Sequence, residues 1–401
     1  MLTALPPPAS PIERLPEEWE QVLAAWGEPR YRGKQVFAWI HRRGVMDPAA
    51  MTDLPASLRE RLREEGLASP LVLQRTQKAR DGTEKLLLGL VDDHRIESVL
   101  IPRSSVAPDD VYAPVDPPVD AGVAVTQCVS TQVGCAMGCV FCASGLAGLK
   151  RHLTAGEIVA QVIEARRALA PNARLAGVVF MGMGEPLHNY DALARALVLL
   201  SHRAGLALPL RRITVSTSGL VPAIERLGRD FEGKVGLAVS LHAADHATRL
   251  QLMPVEKRYG IDELIRAMRR YPLARGARIT VEYTLVGGVN DAPTSAARLA
   301  QLLGGMRVKV NLIPMNPVPG VNLAAPDPTT ADAFADVLRA HRIDTFVRRR
   351  RGDDIAAACG QLALAPAEGE AAVTPSRARS RAQRLPLAAS PARGTAPRNR
   401  A

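Results

Sequence analysis

From Thr126 onward, short β-branched runs alternate with helical ones, and no other feature of this sequence restricts the fold so severely. Strands are predicted over residues 126–131, 176–181, 213–216, 235–241, 279–286 and 308–313, and helices over 154–169, 191–202, 221–227, 261–270, 293–303 and 331–341. Thr154 and Glu157 have the spacing of a capping box, which marks the start of the first of these helices. Six βα units in succession require an α/β architecture with a parallel sheet. Periodicity alone fits an open doubly wound sheet and a partial barrel equally well. In both, ligands bind beyond the carboxyl ends of the strands. Small and polar residues collect at those positions: Cys135, Cys139 and Cys142 after the first strand, Gly184 and Glu185 after the second, Ser216 after the third. Ser240, Leu241 and His242 end the fourth, and Asn316 follows the sixth.

Residues 11–66 read as helices with short breaks. Within Lys34 to Arg43, Val36, Phe37 and Ile40 share one face, and Arg30, Arg32, Lys34, His41, Arg42 and Arg43 surround it. Glu84 to Leu90 and Arg95 to Ile101 form a predicted hairpin, and residues 102–125 a long loop rich in Pro and Asp. The chain thus divides into a basic helical domain (1–70), a hairpin with its connecting loop (71–125), a barrel (126–365) and a tail (366–401). Seven Arg against two Glu, with few large apolar residues, mark the tail as disordered. A formal net charge of +11 favours a polyanionic partner, RNA being the obvious one. Neither a long apolar run nor a secretory leader is recognisable, so the expectation is a cytoplasmic monomer with no membrane partner.

Four of the five cysteines fall between Cys128 and Cys142, and the fifth is Cys359. In a reducing compartment such clustering points to metal or to thiol chemistry rather than to structural disulfides. Three thiols spaced C-x3-C-x2-C are one short of a closed site, so a cluster they hold keeps one iron open to another ligand. A four-thiolate zinc site completed by Cys128 is the alternative.

C-x3-C-x2-C with Phe141 before the last cysteine, followed by Gly184-Glu185-Pro186 after the next strand, resembles the radical S-adenosylmethionine (SAM) superfamily. The segments CVSTQVGCAMGCVFCASGLAGLKRHL, VVFMGMGEPLHN, ITVSTSGLVPAI, LAVSLHA, NLIPMNPVPG and RRRRGDDIAAACGQLA are together similar to the adenine-C2 methyltransferases of 23S ribosomal RNA and tRNA. The resemblance covers roughly residues 15 to 365. It implies a partial (βα)6 TIM-like barrel, with a small N-terminal helical domain and a hairpin. It also implies a [4Fe-4S] cluster on Cys135, Cys139 and Cys142, SAM as cofactor, and an electron donor such as flavodoxin.

The resemblance extends to mechanism. Adenine C2 has no lone pair, so direct displacement on the SAM methyl group fails and a radical route is needed. In the family one SAM methylates a cysteine, and a 5′-deoxyadenosyl radical from a second SAM takes hydrogen from that methyl group. The carbon radical then joins enzyme to RNA. Release needs removal of the ring proton and attack by a second thiol. Cys359 matches the methyl-carrying thiol, Cys128 the resolving thiol and Glu97 the proton acceptor. Gly184, Glu185, Ser216, Ser240, Leu241 (through its backbone), His242 and Asn316 match the SAM contacts. His152 departs from the Asn usual in relatives. Two other readings stay open: a C8-methylating relative that gives antibiotic resistance, and a noncatalytic iron-sulfur protein that binds RNA in ribosome assembly.

Overall fold

The computed structural model describes residues 5–103, 122–348 and 351–362. The tail, and all but the ends of the segment 102–125, lie outside the described residues. In chain order the elements are α1 (Pro16–Ala25), α2 (Arg32–Phe37), α3 (Ala56–Glu64), β1 (Leu71–Lys78), β2 (Glu84–Leu90), β3 (Arg95–Pro102), β4 (Val123–Cys128) and β5 (Gln132–Val133). Next come α4 (Ala143–Ala147), β6 (Arg151–His152), α5 (Ala155–Ala168), β7 (Ala173–Phe180), α6 (Tyr190–Ser201), β8 (Ile213–Thr217), α7 (Val221–Phe231) and β9 (Gly236–Ser240). The chain continues through α8 (His246–Leu252), α9 (Ile261–Arg270), β10 (Ile279–Leu285), α10 (Pro293–Leu303), β11 (Val308–Pro314), α11 (Pro328–Ala340) and β12 (Asp344–Val347).

Among the described residues ten strands form one sheet in the order β1-β2-β3-β4-β7-β8-β9-β10-β11-β12, and β5 pairs with β6. From β4 to β12 every neighbouring pair is parallel, with helices as crossovers, which is the partial βα barrel. Burial on both faces explains the near-continuous apolar strands; every residue of β10 is buried. At the head of α5 the capping box forms: Thr154 Oγ1 accepts from the Glu157 N–H at 3.1 Å, and the Glu157 carboxylate accepts from the Thr154 N–H at 2.8 Å.

Three features depart from the sequence reading. The parallel array has seven strands, because β12 adds one whose four residues include only two large apolar side chains. The first parallel strand is Val123–Cys128, so Cys128 closes it rather than lying inside it. The hairpin is part of a three-stranded antiparallel unit continuous with the barrel. β1, polar and exposed along most of its length, pairs with β2, and β3 pairs with β4 through Val99↔Cys128. That pairing seats Glu97 two residues from the neighbour of Cys128.

In the helical region Val36, Phe37 and Ile40 are buried as their spacing requires. His41, grouped above with the surface cations, is fully buried against Phe37, and its Nε2 lies 3.0 Å from the Ile12 carbonyl. Burial holds its pKa down at about 3, so it carries no charge for RNA.

Candidate active site

A cavity of about 160 Å3 opens at the carboxyl ends of the parallel strands. Cys135, Cys139, Cys142, Gly184, Glu185, Ser216, Ser240, His242, Asn316 and Cys359 all face it. Leu241 does not. Its side chain is fully buried, its N–H donates to the Glu282 carbonyl at 3.0 Å, and its carbonyl accepts from Arg249 Nε at 3.2 Å. Cys128 and Glu97 are also not among the residues that line this cavity.

The loop between β5 and β6 carries the three thiols. Gly134 enters it at φ +74°, where a Cβ would meet the Gly148 carbonyl oxygen at 1.8 Å, so only glycine allows the loop to close. Cys142 N–H donates to the Cys139 carbonyl at 3.2 Å, which turns the loop into α4. Burial pushes the Cys135 thiol up to about 12, and Cys139 and Cys142 are raised by burial too, with like-charge repulsion among neighbouring thiols adding to it. Three thiols this costly to ionise alone become good ligands against cationic iron, which favours the deprotonated form. Among the described residues no three His, Cys, Asp or Glu side chains converge on a point that encloses a single metal ion. Three thiols lining one cavity are a soft donor set of the kind that holds an iron-sulfur cluster.

Opposite the thiols, polar groups from successive strand ends turn inward. Glu185 is buried, and its two carboxylate oxygens accept from Leu187 N–H at 3.1 Å and Ser218 N–H at 2.7 Å. Burial raises its pKa, and these hydrogen bonds oppose the rise. Gly184, at φ +103°, brings backbone against Gln132; a Cβ there would lie 2.6 Å from that side chain. His242 adopts φ +56°, uncommon for a side-chain-bearing residue. It is held by Thr284 N–H, which donates to Nδ1 at 2.8 Å, and by Asn290 Nδ2, which donates to its carbonyl at 2.7 Å. Burial, and then the charge of Arg249, keep its pKa at about 3, so the ring is neutral with its proton on Nε2, a donor on the cavity wall. Among the described residues the buried Asn316 Oδ1 has no hydrogen-bond partner, which suits a polar ligand in this cavity.

Sequence reasoning missed the braces behind these groups. Arg249, in α8, is fully buried beside Glu256. It donates to the carbonyls of Ser218 at 2.7 Å and Leu241 at 3.2 Å, so one guanidinium ties the loops after β8 and β9 together. A lone arginine on a seven-residue helix carries no sequence signal of this role. Glu282 and Thr284, on β10, also line the cavity; each looks in sequence like an ordinary strand residue.

The Cys359 loop closes the cavity on its remaining side. Ala143 N–H donates to the Gly360 carbonyl at 2.8 Å, and Asn316 Nδ2 to the Cys359 carbonyl at 2.9 Å, fixing the loop to the thiol-bearing segment and to the end of β11. From the antiparallel side, Asp81 accepts from Gly352 N–H at 3.1 Å and Asp354 accepts from Arg80 N–H at 3.2 Å. Cys359 is exposed and lines the cavity. The protein around the thiol raises its pKa, Arg348 opposing. Cys128 is buried, and its thiol is pushed up to about 12 by burial and then by the neighbouring Cys359, with a Met181 backbone hydrogen bond and Arg348 opposing. The two thiols that the sequence separates by most of the barrel thus act on each other electrostatically. Glu97 is buried in an ion pair with Lys85.

Residues 129–300 match the family described as the radical SAM superfamily, and residues 16–67 match the ribosomal RNA large subunit methyltransferase N-terminal domain. The dual-specificity RNA methyltransferase RlmN of Sorangium cellulosum is 56% identical over 373 residues, covering 89% of this chain and 96% of that protein. The protein of the same name from Anaeromyxobacter dehalogenans is 45% identical, covering 90% of this chain and 93% of its own. A radical SAM methyltransferase from Sphaerobacter thermophilus has a crystal structure that superposes with a TM-score of 0.80 at 46% identity, covering 88% of this chain and 99% of that one.

Proposed function

Since the chain belongs to the RlmN family of radical SAM RNA methyltransferases, we propose that it methylates C2 of adenine in 23S ribosomal RNA and in tRNA through a cysteine-borne carbon. The family implies a [4Fe-4S] cluster and SAM. Cys135, Cys139 and Cys142 would hold the cluster; Gly184, Glu185, Ser216, Ser240, His242 and Asn316 would hold SAM, with Leu241 serving through the backbone that sets Ser240 and His242. When bound, this pair supplies methyl groups and a 5′-deoxyadenosyl radical.

The chain's own residues do the rest. Cys359 presents its sulfur to the cavity and carries the carbon that becomes the new methyl group. Glu97 accepts the C2 proton once enzyme and RNA are joined. Cys128 attacks the Cys359 sulfur, which frees the product and leaves a disulfide between the two. The neutral His242 and the buried Glu185 keep the cavity's charge fixed while this happens. Arg348 and the cations of residues 1–70 contact phosphate while the target base leaves its stack. A flavodoxin-like donor supplies the electron, and the enzyme works in the cytoplasm as a monomer.

One observation carries this reading: Cys359 lines the same cavity as Cys135, Cys139 and Cys142, and Cys128 is near enough to Cys359 for its thiol to feel that charge. Nucleoside mass analysis of RNA from a deletion strain, with and without the restored protein, tests it. Restored 2-methyladenosine in both RNAs supports the proposal. 8-Methyladenosine would favour the resistance-type relative, and unmodified RNA the noncatalytic reading.

A further inference from the structure

Lys85 lies on β2 and Glu97 on β3, on the same face of the antiparallel unit, since Lys85 stands opposite Val99 and Leu87 opposite Glu97. Both side chains are buried, 9% and 5% exposed, and Lys85 Nζ lies 3.0 Å from a Glu97 carboxylate oxygen. The same ammonium donates to the carbonyl of Ala356, 3.3 Å away and three residues before Cys359. A buried ion pair is a poor stabiliser, because desolvating two charges offsets much of their attraction, and an apolar pair would serve this Leu-rich hairpin as well. What an apolar pair could not do is join a carboxylate to the backbone of the Cys359 loop.

We infer that Lys85 is a positioning residue, which fixes the Glu97 carboxylate in register with the docked Cys359 loop so that proton removal occurs only with the sulfur-linked adenine in place. The inference rests on the proposed role of Glu97. The step concerned is a proton transfer: the C2–H bond breaks, its electron pair stays on the ring carbon, and the proton passes to a carboxylate oxygen. Lys85 itself touches neither substrate nor cofactor.

The test follows the covalent enzyme–RNA species in the loaded full-length enzyme, by denaturing gel and by mass, in Glu97→Gln, Lys85→Met, Lys85→Gln and Lys85→Arg. General-base catalysis contributes roughly 100-fold or more, so losing part of the base's placement leaves an excess of about tenfold in adduct over parent. That excess is expected in Glu97→Gln, Lys85→Met and Lys85→Gln, while Lys85→Arg, which keeps the cation, releases product. A misfolded variant cannot produce the excess, because the adduct forms only after Cys359 has been methylated and has reacted. Adduct in Glu97→Gln but in neither Lys85→Met nor Lys85→Gln overturns the inference and leaves the role of Glu97 intact. No adduct in Glu97→Gln overturns that role, and the inference with it.

Discussion

The two walls of the cavity are built in opposite ways. The barrel wall takes its groups from loops that each follow their own strand, so neighbours in the sequence remain neighbours at the site. The antiparallel wall is assembled from distant stretches: Arg80 meets Asp354, and Lys85 meets Ala356, across more than half the chain. The first wall can hold a cofactor locally. The second holds the Cys359 loop in place only when the whole fold has closed, which suits the part of the reaction that must wait for RNA.

If the walls have these separate duties, removing one ligand should damage only the first, and completely. Cys135→Ala is expected to lose the brown cluster absorbance and every trace of methylated RNA while the far-UV spectrum stays that of the parent. Arg249→Met tests how the same wall is braced. It leaves the buried Glu256 carboxylate without its cation, though still bonded to Ile261 N–H and His246, at a cost of roughly 3 kcal/mol, read as a lower midpoint of denaturant unfolding and as weaker SAM binding.

Three further outcomes belong to the second wall or to its edge. Because burial pushes the Cys128 thiol to about 12, its thiolate fraction grows about tenfold per pH unit well below that value. Decay of the enzyme–RNA adduct should therefore quicken about tenfold per unit between roughly pH 7 and 9, with no inflection from the neutral His242. Asp81→Ala removes a hydrogen bond to Gly352 worth about 1 kcal/mol, slowing RNA methylation several-fold while cluster absorbance is unchanged. His152→Asn should change unfolding stability least, within about 0.5 kcal/mol, since the ring is exposed and its contacts are Gln132 Nε2, shared with His188, and the edge of the His188 ring.

This asymmetry also decided what could be read in advance. Strong β-branched runs and adjacent glycines made the barrel and its rim legible, since β7 to β11 and the loop bearing Cys135, Cys139 and Cys142 depend on local pattern. β12 and β1 escaped because one is short and the other a polar edge, and both are held by pairing rather than by composition. His41 looked like a surface cation because sequence cannot tell a solvated histidine from one packed on Phe37. The burial of Glu97 left no sequence signal either, because its partner, Lys85, sits across a turn. Arg249 left no trace, since its carbonyl acceptors come from loops that only the folded barrel brings together.

Peptide mapping by mass spectrometry of Cys128→Ala protein, after anaerobic turnover with SAM, reductant and RNA, examines the proposed sulfur chemistry at Cys359 most directly. The predicted result is a Cys359 peptide joined to adenosine through a single added carbon. An unmodified Cys359 peptide, recovered alongside RNA methylated at the parental yield, would contradict it.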